Sequence, residues 1–272
     1  MSRAKSSPQT SPAQGADCSV PVKGVSHRNI AVSEVVEWHL PEEEPTALVY
    51  NGRSFAVMLA SPADLEDFGL GFSLAEGVVE NASEVDDIEV LRLEAGLAVR
   101  MTIPNVRAAA LMSRGRAMEG RSGCGICGIE TLEALRRPLK PVRRPDVAPE
   151  AIARAFDSLH HHQPMRARNF SVHGAAWCDR QGRVLLSRED VGRHTALDKL
   201  IGAMSRAGMD NSDGFVVMSS RCGFELVQKA ANVGIGLLAS VSAPTTMALS
   251  MARQVGMSLA VSAKAKAVVV LE

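Results

Sequence analysis

The second half of the chain alternates short apolar runs with amphipathic segments, and this alternation constrains the fold more than any other feature. The apolar runs predict strands over residues 215–219, 237–241 and 257–261, and a hairpin over residues 169–187. The amphipathic segments predict helices over residues 151–160, 193–207, 224–233 and 245–254. Strands that alternate with helices in this way indicate a partly parallel sheet in a three-layer α/β domain.

The first half predicts a smaller α+β unit. Asn51-Gly52 separates two strand-like runs and suits the positive backbone angles of a type I′ hairpin. Ser61-Pro62 predicts the start of a helix, with Ser61 as its N-cap and Gly77 at its end. Two further strands are expected within residues 85–103 and a helix over residues 106–118.

These patterns divide the chain into four parts. Residues 1–30 are rich in Ser, Pro, Gln and Ala without an apolar period, which predicts a disordered tail. Residues 31–118 form the N-terminal α+β domain and residues 149–272 the larger α/β domain. Between them, residues 119–148 combine a glycine-rich run with a Pro- and Arg-rich stretch, which predicts a mobile loop and linker.

Charge and cysteine usage narrow the function classes. Thirty basic and 30 acidic residues balance, so no global field favours nucleic acid or an anionic membrane, and we expect neither as a partner. The first residues contain no apolar run typical of a secretory signal, and the cysteine count of five is odd. Both features favour a cytoplasmic protein that uses thiol chemistry.

The sharpest motif is the pair Cys124 and Cys127, which stands among four glycines between residues 120 and 128. A thiolate is the reactive form of cysteine, and the nearby Arg121 and a predicted helix start favour it. Two thiols at this spacing could pass a sulfane sulfur between them, form a redox disulfide or share a zinc ion. Zinc needs further ligands, and a thioredoxin-like pair needs a different context. The motif alone leaves all three open.

A second group of polar residues follows the predicted strands of the larger domain. Arg193, His194, Asp198 and Lys199 begin one helix, and residues 219–229 include Arg221, Glu225 and Lys229. A third stretch, residues 240–246, is rich in hydroxyl groups. Loops after strands in α/β sheets commonly bind ligands, so these three junctions predict a site for a polyanion, with Arg193 as a phosphate ligand. The alternative interpretation is a solvated helix with internal salt bridges.

Taken together, these motifs resemble the FdhD family of formate dehydrogenase accessory proteins. The resemblance rests on Gly-Cys-Gly-Ile-Cys-Gly at 123–128, Asp-Val-Gly-Arg-His at 190–194 with Asp198-Lys199, Glu-Leu-Val-Gln-Lys at 225–229 and Ser-Ala-Pro-Thr at 242–245. Tyr50-Asn-Gly, residues 61–66 and residues 71–77 extend it into the first half.

The resemblance implies a sulfur carrier that accepts persulfide sulfur from a cysteine desulfurase. It passes the sulfur to the bis-molybdopterin guanine dinucleotide cofactor, which serves the catalytic subunit of formate dehydrogenase. It further implies a homodimer, a cytidine-deaminase-like fold for the larger domain, and Cys124 as the persulfide-bearing residue with Cys127 in support. The expected cofactor-binding residues are Ala260, Val261, Ser262, Ala263, Lys264, Ala265, Arg193, His194, Arg221 and Lys229. No resident metal is predicted.

Two other function classes compete with this interpretation. A zinc deaminase would need a His-x-Glu element and a Pro before the cysteine pair, and the chain has neither. A non-catalytic chaperone would hold the cofactor while another protein transfers the sulfur. Sulfur gain on Cys124 distinguishes a carrier from such a chaperone.

Overall fold

The computed structural model describes residues 18–29, 32–114, 139–263 and 267–271. An antiparallel ribbon opens the described chain, formed by β1 (Ser19–Asn29) and β2 (Val32–Pro41). The prediction of a disordered tail up to residue 30 is therefore wrong from Ser19 onward. Apolar cross-strand pairs such as Val22 with Trp38 stabilise the ribbon, and they become visible only when both strands are aligned. Cys18, which the same prediction placed in the tail, is buried.

The N-terminal unit is a four-stranded sheet with one helix packed on it. The strands are β3 (Glu44–Tyr50), β4 (Arg53–Ala60), β5 (Asp87–Leu93) and β6 (Gly96–Thr102), in the order β4-β3-β6-β5. Helix α1 (Leu65–Ala75) packs through Phe68 and Phe72 against their apolar face, and α2 (Asn105–Arg114) follows β6. Asn51 and Gly52 both have positive φ, at 47° and 78°, which confirms the predicted β3–β4 hairpin.

Ser61 is not the N-cap of α1, because the helix begins four residues later, after Asp64. Ser61 instead joins the two halves of the protein. Its backbone N–H donates to Asp190 Oδ2 at 2.9 Å, and its carbonyl oxygen accepts a hydrogen bond from Lys199 Nζ at 2.9 Å. The capping pattern in the sequence therefore marks a contact between domains.

The larger unit is built on a six-stranded mixed sheet with the order β12-β11-β10-β9-β7-β8. Its strands are β7 (His173–Asp179), β8 (Val184–Asp190), β9 (Gly214–Met218), β10 (Leu237–Ser240), β11 (Ser258–Ser262) and β12 (Val268–Leu271). Strands β9, β10 and β11 are parallel, β7 runs antiparallel to β9, and β8 runs antiparallel to β7.

Helices cover both faces of this sheet, as the alternating pattern predicts. Helices α5 (Arg193–Arg206), α6 (Phe224–Asn232) and α7 (Thr246–Val255) pack on one face, and α3 (Pro149–Leu159) packs on the other. The short α4 (Pro164–Asn169) lies beside the β1–β2 ribbon. The three-layer α/β architecture is thus confirmed, whereas the closer likeness to cytidine deaminases stays a prediction.

The two units meet where α1 crosses α5, and two glycines make this crossing close. A Cβ atom built on Gly71 would lie 1.7 Å from the carbonyl oxygen of Asp198. One built on Gly202 would lie 1.9 Å from the carbonyl oxygen of Asp67. Backbone therefore contacts backbone at this point, and no larger residue fits unless the helices separate.

The described end of the predicted linker, residues 139–148, lies against the larger unit. Val142 N–H donates to the Val255 carbonyl oxygen at 2.8 Å, and Arg144 Nε donates to the Gly256 carbonyl oxygen at 2.7 Å. Within the described ranges, no helix has the length and apolar character that spanning a bilayer requires.

Candidate functional site

The strand register brings the predicted ligand-binding segments to one edge of the large sheet. Met218 in β9 pairs with Ser240 in β10, and Ser240 pairs with Val261 in β11, so these parallel strands end together. β8 also ends at this edge, since its last residue Asp190 pairs with His173, the first residue of β7. The carboxyl ends of parallel strands are the usual location of ligands in such sheets.

The junctions after these strands also contact one another. Thr245 N–H donates to the Cys222 carbonyl oxygen at 3.0 Å, and Cys222 forms an isolated bridge with Pro244. Ser219 and Gly174 exchange two hydrogen bonds, which tie the end of β9 to the start of β7. The predicted convergence of the strand-to-helix junctions is therefore present in the fold.

A cluster of polar side chains occupies this edge, at the first turns of α5 and α6. The imidazole of His194 is buried, at 5% exposure, and its Nε2 lies 3.9 Å from Glu225 Oε2. Three buried nitrogens have no hydrogen-bond partner within the described chain, namely Arg193 Nε, His194 Nε2 and His173 Nδ1. Buried polar atoms are almost always bonded, so unpaired ones at a ligand-binding edge identify a candidate binding site.

The electrostatics of this cluster favour a neutral His194 beside an ionised Glu225. Burial lowers the pKa of His194, and the positive charge of Arg193 lowers it further, against the opposing effect of Glu225. Burial would raise the pKa of Glu225, but His194, its own backbone N–H and Arg193 together hold that pKa below its usual value. The site therefore presents a carboxylate acceptor next to nitrogen donors.

Lys229 is not part of this open cluster. Its Nζ lies 2.9 Å from both carboxylate oxygens of Asp198 and 2.9 Å from Glu76 Oε1, and the side chain is buried. These two carboxylates raise the pKa of Lys229 despite its burial. The geometry gives Lys229 a role in joining the two units, so we do not retain it as a cofactor ligand.

The segment expected to bind the cofactor is buried at its start and partly exposed after Ala260. The side chain of Ala260 is fully buried in the core beneath the sheet, so only residues after it can meet a ligand through their side chains. Val261, Ser262 and Ala263 are partly exposed at the shared edge. Lys264 and Ala265 lie outside the described residues, and Arg221 is exposed after β9.

Two of the three described thiols are unsuited to carrying sulfur. Cys178 and Cys222 are buried, and burial raises the pKa of each to about 12, so neither forms a thiolate near neutral pH. Cys124 and Cys127 lie outside the described residues. In the part of the chain that the structure covers, no group of three or more His, Cys, Asp or Glu side chains is arranged to hold a metal ion.

His173 is the member of the cluster that sequence reasoning did not assign to it. It lies 20 residues before Arg193, and nothing in the local sequence connects the two positions. The observed pairing of β7 with β8 supplies the connection, because it places His173 opposite Asp190, three residues before Arg193, whereas the predicted hairpin ended at residue 187.

Comparison with known proteins agrees with this architecture. Residues 41–272 match the FdhD/NarQ family. The chain is 50% identical over 229 residues to "Sulfur carrier protein FdhD" of Xanthomonas euvesicatoria pv. vesicatoria, which covers 84% of this chain and 81% of that protein. It is 45% identical to the protein of the same name from Cupriavidus necator over 99% of this chain and 95% of that one.

One crystal structure shows the same fold at low sequence identity. It is that of a protein assigned as a formate dehydrogenase accessory protein from Desulfotalea psychrophila, with a TM-score of 0.74 and 24% identity. The match covers 94% of this chain and 97% of that chain.

Proposed function

This chain belongs to the FdhD/NarQ family, and on that premise we propose that it is a sulfur carrier that serves formate dehydrogenase. The observation that carries the proposal is the 45–50% identity to relatives named sulfur carriers, which extends over most of both chains. The family match includes the positions of Cys124 and Cys127. Both lie outside the described residues, so their proposed role rests on thiol chemistry and on the similarity to these relatives.

The proposed first step is thiol–persulfide exchange with a cysteine desulfurase. The Cys124 thiolate attacks the terminal sulfur of the desulfurase persulfide, and a new sulfur–sulfur bond forms on Cys124. The sulfur–sulfur bond of the donor breaks, and its electron pair leaves on the desulfurase cysteine as a thiolate. The chain therefore gains one sulfur atom as a persulfide, without any external oxidant or reductant. Cys127 supports or relays this sulfur.

The proposed acceptor is the bis-molybdopterin guanine dinucleotide cofactor, which the chain binds as a substrate. Support comes from the carboxyl edge of the large sheet, because the start of α5, with Arg193 and His194, and the end of β11 are both at that edge. The nitrogens Arg193 Nε and His194 Nε2, which have no hydrogen-bond partner among the described residues, support a polar ligand at this edge. We also propose that the protein acts as a homodimer.

The decisive test is the intact mass of the purified protein after incubation with a cysteine desulfurase and cysteine. We expect a gain of one or more sulfur atoms that a reducing agent removes, and peptide mapping should locate it on Cys124. Cys124→Ala should abolish both this gain and the maturation of formate dehydrogenase. Full maturation by that variant would refute the assignment.

Cys222→Ala is the matched control, because its thiol is buried and its raised pKa keeps it protonated. It should load sulfur as the unaltered protein does. A protein that binds the cofactor and supports maturation, yet never gains sulfur, would instead be the non-catalytic chaperone.

A further inference from the structure

The cluster at the carboxyl edge contains both hydrogen-bond acceptors and hydrogen-bond donors. This combination restricts the possible ligands more than the charge of the cluster does. Glu225 offers two carboxylate oxygens, and its side chain is only 15% exposed. Arg193 Nε and His194 Nε2 stand beside it as donors without a partner in the described chain. A ligand that satisfies all of them must present donors and an acceptor side by side.

This requirement argues against the two simplest occupants. A phosphate group offers only acceptors, and its negative charge would lie against the ionised Glu225 carboxylate, which costs binding energy in a half-buried site. A metal ion would need several ligands, and the described residues present no such set. A water molecule could bridge the 3.9 Å between His194 Nε2 and Glu225 Oε2, but it would confer no preference among ligands.

We propose that Glu225, Arg193 and His194 form a recognition site for the 2-amino-4-oxo edge of a fused pyrimidine ring. This edge carries a ring N–H and an exocyclic amine beside a carbonyl oxygen, which is the complement of a carboxylate flanked by nitrogen donors. Guanine and pterin rings share it, and the cofactor of the proposed function contains both, so the inference rests on that function.

Each residue has a defined part in this recognition. The two oxygens of Glu225 accept the ring N–H and the exocyclic amine, a bidentate and charge-assisted arrangement. Arg193 Nε donates to the carbonyl oxygen, and neutral His194 is assigned the tautomer in which Nε2–H donates to it as well. His173, whose Nδ1 is also unpaired in the described chain, stands at the start of β7 and is placed to contact the remainder of the ring system.

The experiment compares ligand pairs that differ only in the exocyclic amine, with the full-length protein and isothermal titration calorimetry. The first pair is guanosine and inosine, and the second is 6-hydroxymethylpterin and its 2-deamino analogue, in which a hydrogen atom replaces the exocyclic amine. We expect the amine-bearing member of at least one pair to bind on the order of tenfold or more tightly. Preference within the first pair identifies guanine as the occupant, and preference within the second identifies pterin. Equal affinities within both pairs would overturn the proposal.

Glu225→Gln supplies the second arm, because the amide turns one of its two acceptors into a donor. The preference for the amine should fall to near unity, while binding of inosine or of the 2-deamino pterin analogue changes little. Glu94→Gln, an exposed carboxylate in the turn between β5 and β6, is the matched control and should keep the preference. If circular dichroism shows that the Gln variant does not fold, Glu225→Asp replaces it. The shorter side chain moves the carboxylate away from the ligand, so the preference for the amine-bearing ligand should fall in this variant as well.

A preference that survives these substitutions would contradict the assignment to Glu225. Sulfur loading of Cys124 is measured on the same preparation. A protein that loads sulfur but shows no amine preference refutes this inference alone, whereas a protein that never loads sulfur refutes the proposed function.

Discussion

The substitution Lys199→Met tests whether a buried ion pair holds the two units together. Lys199 and Asp190 have no exposed side-chain surface, and Lys199 Nζ lies 2.7 Å from Asp190 Oδ2. The ammonium also donates to the Ser61 carbonyl oxygen at 2.9 Å, while Asp190 accepts N–H bonds from Ser61 and Gly192. Methionine keeps the length of the side chain but removes the charge, so a buried carboxylate loses its counter-ion.

The expected loss follows from this geometry. Removing one partner of a fully buried pair costs about 3–5 kcal/mol, because the other charge stays desolvated. For a chain of this size, such a loss lowers the melting temperature by roughly 10 °C. The double variant Asp190→Asn/Lys199→Met leaves no buried charge. It should therefore be more stable than Lys199→Met alone, and the difference measures the coupling of the pair.

The pH dependence gives a second, independent check. Burial raises the pKa of Asp190, and the partner Lys199 opposes that rise. Without Lys199, the folded-state pKa of Asp190 should climb further above its unfolded value of about 3.9. When the pKa of a carboxyl group is higher in the folded state than in the unfolded state, the free energy of unfolding is highest at low pH and falls as pH rises. The deficit of Lys199→Met should therefore be largest near neutral pH and shrink toward pH 5.

Urea unfolding followed by circular dichroism, repeated between pH 5 and pH 8, measures these quantities. Exposed Lys23→Met in the β1–β2 ribbon is the matched control and should change stability by less than about 0.5 kcal/mol. A deficit below about 1 kcal/mol for Lys199→Met, or one that does not vary with pH, would refute the role given to this pair.

Two further predictions concern the helix crossing and the buried thiols. Gly202→Val should destabilise the protein by about 3 kcal/mol or more in the same urea assay, because the valine side chain would clash with the Asp67 backbone. The control Gly24→Ala, which has open space around it, should cost less than about 1 kcal/mol. Equal losses of stability in the two variants would contradict the close helix crossing. Burial raises the pKa of Cys178 and of Cys222 to about 12, so both thiols should resist alkylation by iodoacetamide at pH 7.5 until urea unfolds the protein. Peptide mass mapping should find that Cys124 is labelled first. Rapid labelling of Cys222 in the folded protein would contradict this prediction.

The sequence predicted the regular elements of the larger domain well because their signals are local. Each strand there is a short apolar run and each helix has an amphipathic period, so the predicted bounds of α5 and α6 lie within one residue of those observed. The Asn51-Gly52 turn was equally local, because positive φ at two successive positions suits few residue pairs.

The errors arose where the deciding contact is distant in sequence. Ser61 has the side chain and neighbours of an N-cap, yet Asp190 and Lys199, more than 120 positions away, determine its conformation. Lys229 is among the expected cofactor-binding residues, and its local sequence does not reveal that Asp198 and Glu76 lie on either side of its ammonium. The β1–β2 ribbon was missed because alternation in a single strand is weak until its partner is known.

The shared ion pairs also determine how this protein can be dissected. Three cations of the larger unit contact groups in the N-terminal unit. Lys229 forms an ion pair with Glu76, and Arg188 lies 2.7 Å from Asp67. Lys199 donates a hydrogen bond to the Ser61 carbonyl oxygen. A fragment containing only residues 149–272 would keep Asp190 beside Lys199 and Asp198 beside Lys229, but it would lose the groups that the N-terminal unit supplies to all three cations. Despite having a sheet and core of its own, the larger unit is therefore expected to be less stable as an isolated fragment than within the whole chain.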